Sequence, residues 1–313
     1  MSLIKKANEL QFDTKIKALI YGAAGSGKTT LALSMPKPLI VDFDNGVKRV
    51  NFQHLSGVST VQVKSYQDLI DVLDMEEELK EFETIIIDTG GKCLDFMGLY
   101  LVKNYPKLGK ADGSLTLQGY GARKTEFSNM CAKINIMGKH VLFVAHREST
   151  KDGDDIRYVP LFGGSNYDAL VTDLDVVGYI ELNGRKRVIT FDPTSRNDGK
   201  NTCNLPPIID IPVLIDSEGK AVGENNFLQK YLVQPYTARL KERQETLGEY
   251  EQLIMQIKED IELITDAKSA TEFVVNIDSY KHIGSSKAVA AKMLKVATDK
   301  LGLKFNKKLS VYE

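Results

Sequence analysis

The chain is short of several features that would by themselves fix its class. Its 313 residues hold three cysteines, Cys93, Cys131 and Cys203. Their odd number, wide spacing and lack of a CxxC pair argue against a disulfide framework and a cysteine zinc site. No apolar run approaches the ~18 residues of a membrane span. The opening Met1-Ser2-Leu3-Ile4-Lys5-Lys6 leads into polar residues without the apolar core of a signal peptide. A cytoplasmic protein with no membrane partner is the expectation. The formal net charge is only -1, so no global field draws the molecule to a polyanion, and any such contact rests on a local patch. Internal repeats and low-complexity tracts are missing as well.

What is present is more specific. Gly22-Ala23-Ala24-Gly25-Ser26-Gly27-Lys28-Thr29-Thr30 fits the phosphate-loop pattern GxxxxGK[ST] at every fixed position, directly after the apolar run Ile16 to Tyr21. Glycines let successive backbone N–H groups turn inward as an anion nest, and Lys28 sets an ammonium against the terminal phosphates. Thr29 is placed to hold Mg²⁺. No NKxD-type guanine reader occurs, which favours ATP.

Short apolar runs alternate with amphipathic stretches: Leu39-Ile40-Val41, a helical stretch over about 66–82, Thr84-Ile85-Ile86-Ile87, helices to about Gly138, then Val141-Leu142-Phe143-Val144. Continuous runs of this kind suit strands buried on both faces of a parallel sheet, so the spacing predicts a doubly wound, mostly parallel α/β layer. A hairpin follows from Asp175 to Phe191, turning at Asn183-Gly184, and extends one edge of that sheet. The core is expected over 1–212, a linker over 213–236, where Pro212, Asp216 to Lys220 and Pro235 break regular structure, and a helical module over 237–313. In the module Leu240, Leu247, Ile254 and Ile261 recur every seven residues, with Tyr250, Ile257 and Ile264 behind them. That stripe can form an oligomer seam or pack on neighbouring helices of its own chain.

A phosphate loop needs a second acid for the magnesium shell, and Asp88, closing Thr84 to Ile87, fits. Thr89-Gly90-Gly91 follow it in place of a glutamate, so the base that activates water must come from elsewhere. Asp42 and Asp44 are the candidates, just past Leu39-Ile40-Val41, where parallel strands face the crevice. Asp44 is preferred because it lies further beyond the strand end; the plain alternative is a turn formed by Asp42 to Gly46. His146 ends Val141 to Ala145, from where it can contact the terminal phosphate and report its loss.

Residues 101–160 hold ten Lys/Arg and six Asp/Glu, an excess of four positive charges. Two stretches there read as long loops: Leu108 to Ser114, and Arg147 to Gly164 with Lys151, Arg157, Tyr158 and Phe162. Cations interleaved with aromatics hold single strands without reading sequence, although Asp152, Asp154 and Asp155 oppose this.

On these motifs the chain resembles phage RecA-like P-loop ATPases, specifically the single-strand annealing and recombination-mediator proteins with a minimal RecA core. The likeness covers about residues 1–207 and rests on Gly22 to Thr30, Leu39 to Asp44, Ile85 to Asp88, Val141 to His146 and the hairpin ending near Lys200. It implies ATP hydrolysis with Mg²⁺ held by Thr29 and Asp88, and single-stranded DNA as partner. It also implies a homo-oligomer, work beside a phage replication or recombination protein, and residence in the host bacterial cytoplasm. The family usually carries glutamate where Asp44 stands, which bears on the rate. It also implies a basic residue reaching a neighbouring subunit's nucleotide, matched by Arg196 or Lys200. Two other classes use the same loop: a loader of another replication protein, recognising it through the helical tail, and a small-molecule kinase, which would want an arginine-rich lid.

Overall fold

The computed structural model describes residues 14–152, 155–163, 165–184 and 186–313. The N-terminal stretch, Asp154 and Gly164 lie outside the described residues. Two compact units are present, Asp13–Thr237 and a second formed mainly by Ala238–Glu313.

In the first unit the apolar runs become strands with the expected order. Along the chain come β1 (Lys17–Gly22), α1 (Lys28–Ala32), β2 (Pro38–Asp42), α2 (Phe52–Leu55) and β3 (Ser59–Gln62). After them follow α3 (Tyr66–Asp74), α4 (Glu76–Leu79), β4 (Thr84–Asp88), α5 (Gly90–Asn104), α6 (Leu117–Ile136) and β5 (His140–Asp152). The first half of the sheet runs β1-β5-β4-β2-β3, with every neighbouring pair parallel. Ile85, Ile86 and Ile87 are wholly buried, each contributing ~1.5–3 kcal/mol by leaving water. That burial on both faces is why the runs are continuous instead of alternating.

The chain then adds β6 (Asp155–Pro160), α7 (Ser165–Asp173), β7 (Val176–Asn183), β8 (Lys186–Thr190), β9 (Lys200–Asn201) and β10 (Ile208–Ile211). β7 lies parallel to β1, and the Asn183-Gly184 turn, with Gly184 at φ 63°, returns the chain as β8 antiparallel to β7. β10 closes that edge against β8. The described sheet is thus the doubly wound, mostly parallel layer the sequence predicts.

Helices cover both faces. α3, α5, α6 and α7 lie over a cluster with Tyr66, Leu94, Met97, Phe127 and Leu170, while α1 and later segments cover Ile20, Ile40, Ile86 and Leu142. α3 begins at a capping box in which Asp68 accepts the Ser65 N–H at 2.9 Å, and α6 begins where Thr116 Oγ1 accepts the Gly119 N–H at 3.1 Å.

Three expectations need correction. Arg147 to Gly164 is mostly a β-ribbon, not a long loop: β5 runs on past the sheet and β6 folds back on it antiparallel, from Arg147 opposite Pro160 to Asp152 opposite Asp155. Residues 213–236 are not a bare linker, because Phe227, Leu228, Leu232 and Val233 are buried in the first unit's core. Pro212 ends β10, Asp216 to Lys220 turn between the bridged Ile215 and Ala221, and Pro235 falls within the first α-helical turn of the terminal helix. The terminal helix also starts earlier, as a π-helical turn over Gln229–Val233 leading into α8 (Gln234–Glu262).

In the second unit α9 (Ala267–Asn276) and α10 (Ser286–Lys300) pack with α8, and β11 (Phe305–Asn306) pairs with β12 (Val311–Tyr312). Ile257, Ile261 and Ile264 bury against Ala270, Phe273, Ala290 and Leu294. The lower part of the heptad stripe therefore packs within its own chain. Leu240 and Leu247 stay half-buried.

Candidate nucleotide-binding site

Parallel pairing aligns the carboxyl ends of β1, β2 and β4 with β5 and β7 along one edge. Gly22 of β1 lies opposite His146 of β5 and Ile180 of β7, and Asp42 of β2 lies opposite Asp88 of β4. These ends border a cleft of about 570 Å³ lined by Ala24 to Leu31, Asp44, Asp88, Thr89 and His146, within the usual size range of ligand sites.

The loop after β1 needs its glycines. A Cβ on Gly22 would stand 2.5 Å from the Ile180 carbonyl oxygen, and Gly25 and Gly27 sit at φ 73° and 85°, conformations that L side chains resist. Lys28 is almost fully buried, its Nζ donating to the carbonyls of Gly22 at 3.1 Å and Ala23 at 2.7 Å. Burial lowers its pKa to about 8, and the carboxylates of Asp88 and Asp44 oppose that shift. Thr29 Oγ1 donates to Asp88 Oδ2 at 2.6 Å. Burial is also the main reason the Asp88 pKa rises to about 6, with the Thr29 bond opposing and the negative charges of Asp42 and Asp44 adding to the rise. Ser26 Oγ in the same loop is buried without a partner among the described residues.

These features fit a polyphosphate with a divalent ion. The cradle excludes side chains, the cation stands inside it, and a hydroxyl–carboxylate pair of hard oxygen ligands faces the cleft.

Asp42 and Asp44 separate cleanly. Asp42 is buried, its Oδ1 accepting the N–H groups of Asp44 at 3.2 Å and Gly46 at 2.9 Å and its Oδ2 that of Val47 at 3.1 Å. It shapes the turn. Asp44 lines the cleft, held by Arg49 Nη2 at 3.0 Å and lying 3.9 Å from His146 Nε2. Burial, then the nearby Lys28 charge, lowers the His146 pKa below its ordinary value, so the ring is neutral at pH 7.

Of the groups assigned to the second loop, Lys151 is exposed, while Arg147, Arg157, Tyr158 and Phe162 are committed to the protein. Phe162 is fully buried. Tyr158 stacks on Tyr179 at 5.9 Å, with the Arg147 guanidinium 4.0 Å above its ring and donating to Tyr179 Oη at 2.6 Å. Arg157 grips Asp198 at 2.6 Å. Of the two basic residues near the last strands, Lys200 Nζ caps the Val171 and Thr172 carbonyls at 2.8 and 3.1 Å, while Arg196 is exposed.

Sequence reasoning missed three arginines. Arg49 follows Asp44 by five residues, which offered a weak cue. Arg187 enters the cleft from β8 and had no local signal. Arg123 lines a second cavity of about 220 Å³ that shares Thr89 and His146 with the cleft, and its Nε is buried without a hydrogen-bond partner among the described residues.

Comparison with known proteins adds two findings. The profile of a family described as an AAA domain matches residues 14–203, more than half of the chain. The chain is also similar to the SPbeta prophage-derived uncharacterized protein YorG of Bacillus subtilis (strain 168), with 25% identity over 173 residues, 53% of this chain and 50% of that protein. It thus spans about half the length of the curated relative it matches. No described helix is long and apolar enough to cross a membrane.

Proposed function

The chain belongs to the AAA-domain family, and on that premise we propose that it is a magnesium-dependent ATPase that works on single-stranded DNA in phage recombination, annealing or replication. The observation that carries the nucleotide part is the Thr29–Asp88 contact of 2.6 Å beside a lysine held inside a glycine cradle.

Gly22 to Thr30 bind the phosphates, and Lys28 balances their charge. Thr29 and Asp88 would hold Mg²⁺, which when bound would supply positive charge against the charge that develops in phosphoryl transfer. Asp44, kept beside Arg49, orients a water and takes its proton. His146, 3.9 Å from Asp44, lies between the cleft and the second cavity. From there it carries the state of the terminal phosphate to the β5–β6 ribbon that follows it. In an assembly, Arg196 is the side chain that can reach a neighbouring copy's nucleotide.

Support for DNA comes from a different surface than the ribbon aromatics. Near the end of α5 and the start of α6, Tyr105 is 57% and Tyr120 50% exposed, among the exposed lysines 103, 107, 110 and 124. Exposed rings between cations can stack bases and neutralise phosphates. Arg123, its Nε lacking a partner beside His146's cavity, can receive a backbone phosphate there. The relative's prophage origin agrees with a phage setting.

The test is ATP turnover with and without single-stranded DNA, together with DNA affinity across a salt series. Log affinity should fall with log salt by roughly 0.7 per phosphate contact. Turnover unaffected by DNA, with no binding even at low salt, rejects the DNA partner and leaves a loader of another protein as the better account. No magnesium-dependent ATP binding rejects the whole proposal.

A further inference from the structure

Arg187 stands on β8, one strand beyond β7, and thus on the opposite side of β1 from His146, Asp88 and Asp44. Its guanidinium leans over the phosphate loop: a Cβ built on Gly27 would lie 3.3 Å from Arg187 Nη1 and 3.7 Å from its Cζ. Among the described residues Arg187 has no carboxylate partner: the ladder acids beside it, Glu181 and Asp210, both stand opposite Val188, one residue out of register with Arg187, and Asp210 is taken by Lys186 at 2.6 Å. An exposed guanidinium set over the phosphate loop without an acid of its own is available to a phosphate oxygen held by that loop, where Lys28 supplies the second cation.

Next to it in the ladder is Ile211, and from there a strap crosses to α2, bringing Leu214 and Ile215 into the cleft. Three hydrogen bonds hold the strap: His54 Nε2 to the Leu214 carbonyl at 2.9 Å, Asn51 Nδ2 to that of Gly219 at 2.6 Å, and the Ala221 N–H to Gln53 Oε1 at 2.8 Å. The cleft therefore has two unlike walls. Asp44 and His146 mark the wall of the terminal phosphate, and Arg187 with the apolar strap forms the other.

Resting on the nucleotide-binding proposal, we infer that Arg187 is a binding residue for the inner phosphates shared by ATP and ADP, with Ile211, Leu214 and Ile215 covering the nucleoside beside it. The protein then holds ADP through the same contacts as ATP and senses the third phosphate only from the opposite wall.

Calorimetric titration of Mg·ADP and Mg·ATP into the full chain, the Arg187→Ala variant and the Arg187→Lys variant tests this. Arg187→Ala should weaken both nucleotides by the same factor, about tenfold or more, as expected for a lost charge-assisted contact. Arg187→Lys should recover part of that loss, since it keeps the charge without the fork. The nucleotide-free melting temperature should not move, because the side chain is exposed. ADP affinity in Arg187→Ala equal to that of the unaltered chain overturns the inference, whether or not ATP affinity changes. An unaltered chain that binds neither nucleotide defeats the functional proposal itself, and this inference with it.

Discussion

Asp42 accepts the backbone N–H of Asp44 at 3.2 Å, so one carboxylate of the pair builds the turn from which the other reaches the cleft. The two acids, of which position past the strand end already favoured Asp44 as the base, therefore have separable roles. Asp44→Asn should slow turnover by about a hundredfold or more while ATP affinity changes only a few-fold, the signature of a group that acts in the chemical step. Asp42→Ala should instead cost about 1–3 kcal/mol of folding stability by stripping the acceptor from buried N–H groups. Steady-state kinetics and denaturant melts separate the two. Normal turnover in Asp44→Asn would move the base elsewhere.

Lys28→Ala removes the cation inside the cradle. Nucleotide binding or turnover should be lost, while the chain still folds, because the lysine's partners are loop carbonyls of Gly22 and Ala23. Circular dichroism beside calorimetry checks both halves; unchanged hydrolysis would dismiss the site.

Mg·ATP affinity should follow a bell-shaped curve in pH. Asp88 has to ionise to serve a divalent ion, and its pKa near 6 lies above the ordinary 3.8, so affinity rises as pH climbs through about 6. Lys28 has to stay protonated, and its value near 8 lies below the ordinary 10.5, so affinity declines above about 8. Folding of the empty protein responds separately. Stability from the neutral Asp88 is present below about 4 and lost as pH rises through about 6. That from the neutral Lys28 is present above about 10.5 and lost as pH falls through about 8. Asp88→Asn should abolish the acid limb of affinity. A flat profile between pH 5 and 9 would contradict these assignments.

For single-stranded DNA, Arg123→Ala should weaken binding and lower the salt slope by ~0.7. Tyr105→Ala and Tyr120→Ala should each cost ~1–3 kcal/mol of binding. Arg157→Ala should leave DNA affinity alone, since that guanidinium is spent on Asp198. Fluorescence anisotropy at several salt concentrations decides, and a dominant Arg157 effect would shift the DNA surface to the ribbon.

Phe227→Ala tests whether the segment before α8 belongs to the core. Removing a buried phenylalanine should cost about 3–5 kcal/mol, measurable as a drop in melting temperature; an exposed linker would tolerate it.

The sequence alone determined the phosphate loop, the buried parallel strands and the acid at the end of β4, because each is a local pattern with a local cause. Glycine spacing dictates backbone shape, and unbroken Ile/Val/Leu runs dictate burial on two faces. Only the tertiary structure decided what depends on long-range pairing. Among those outcomes are Asp42 turned inward and Asp44 outward, the ribbon aromatics Tyr158 and Phe162 packed inside, and Lys200 capping a helix end. Strand order likewise brought Arg187 over Gly27 from a hairpin 160 residues further along the chain. Such contacts join residues distant in the chain, and their geometry is fixed by which strands lie side by side, a relation that no window of sequence records.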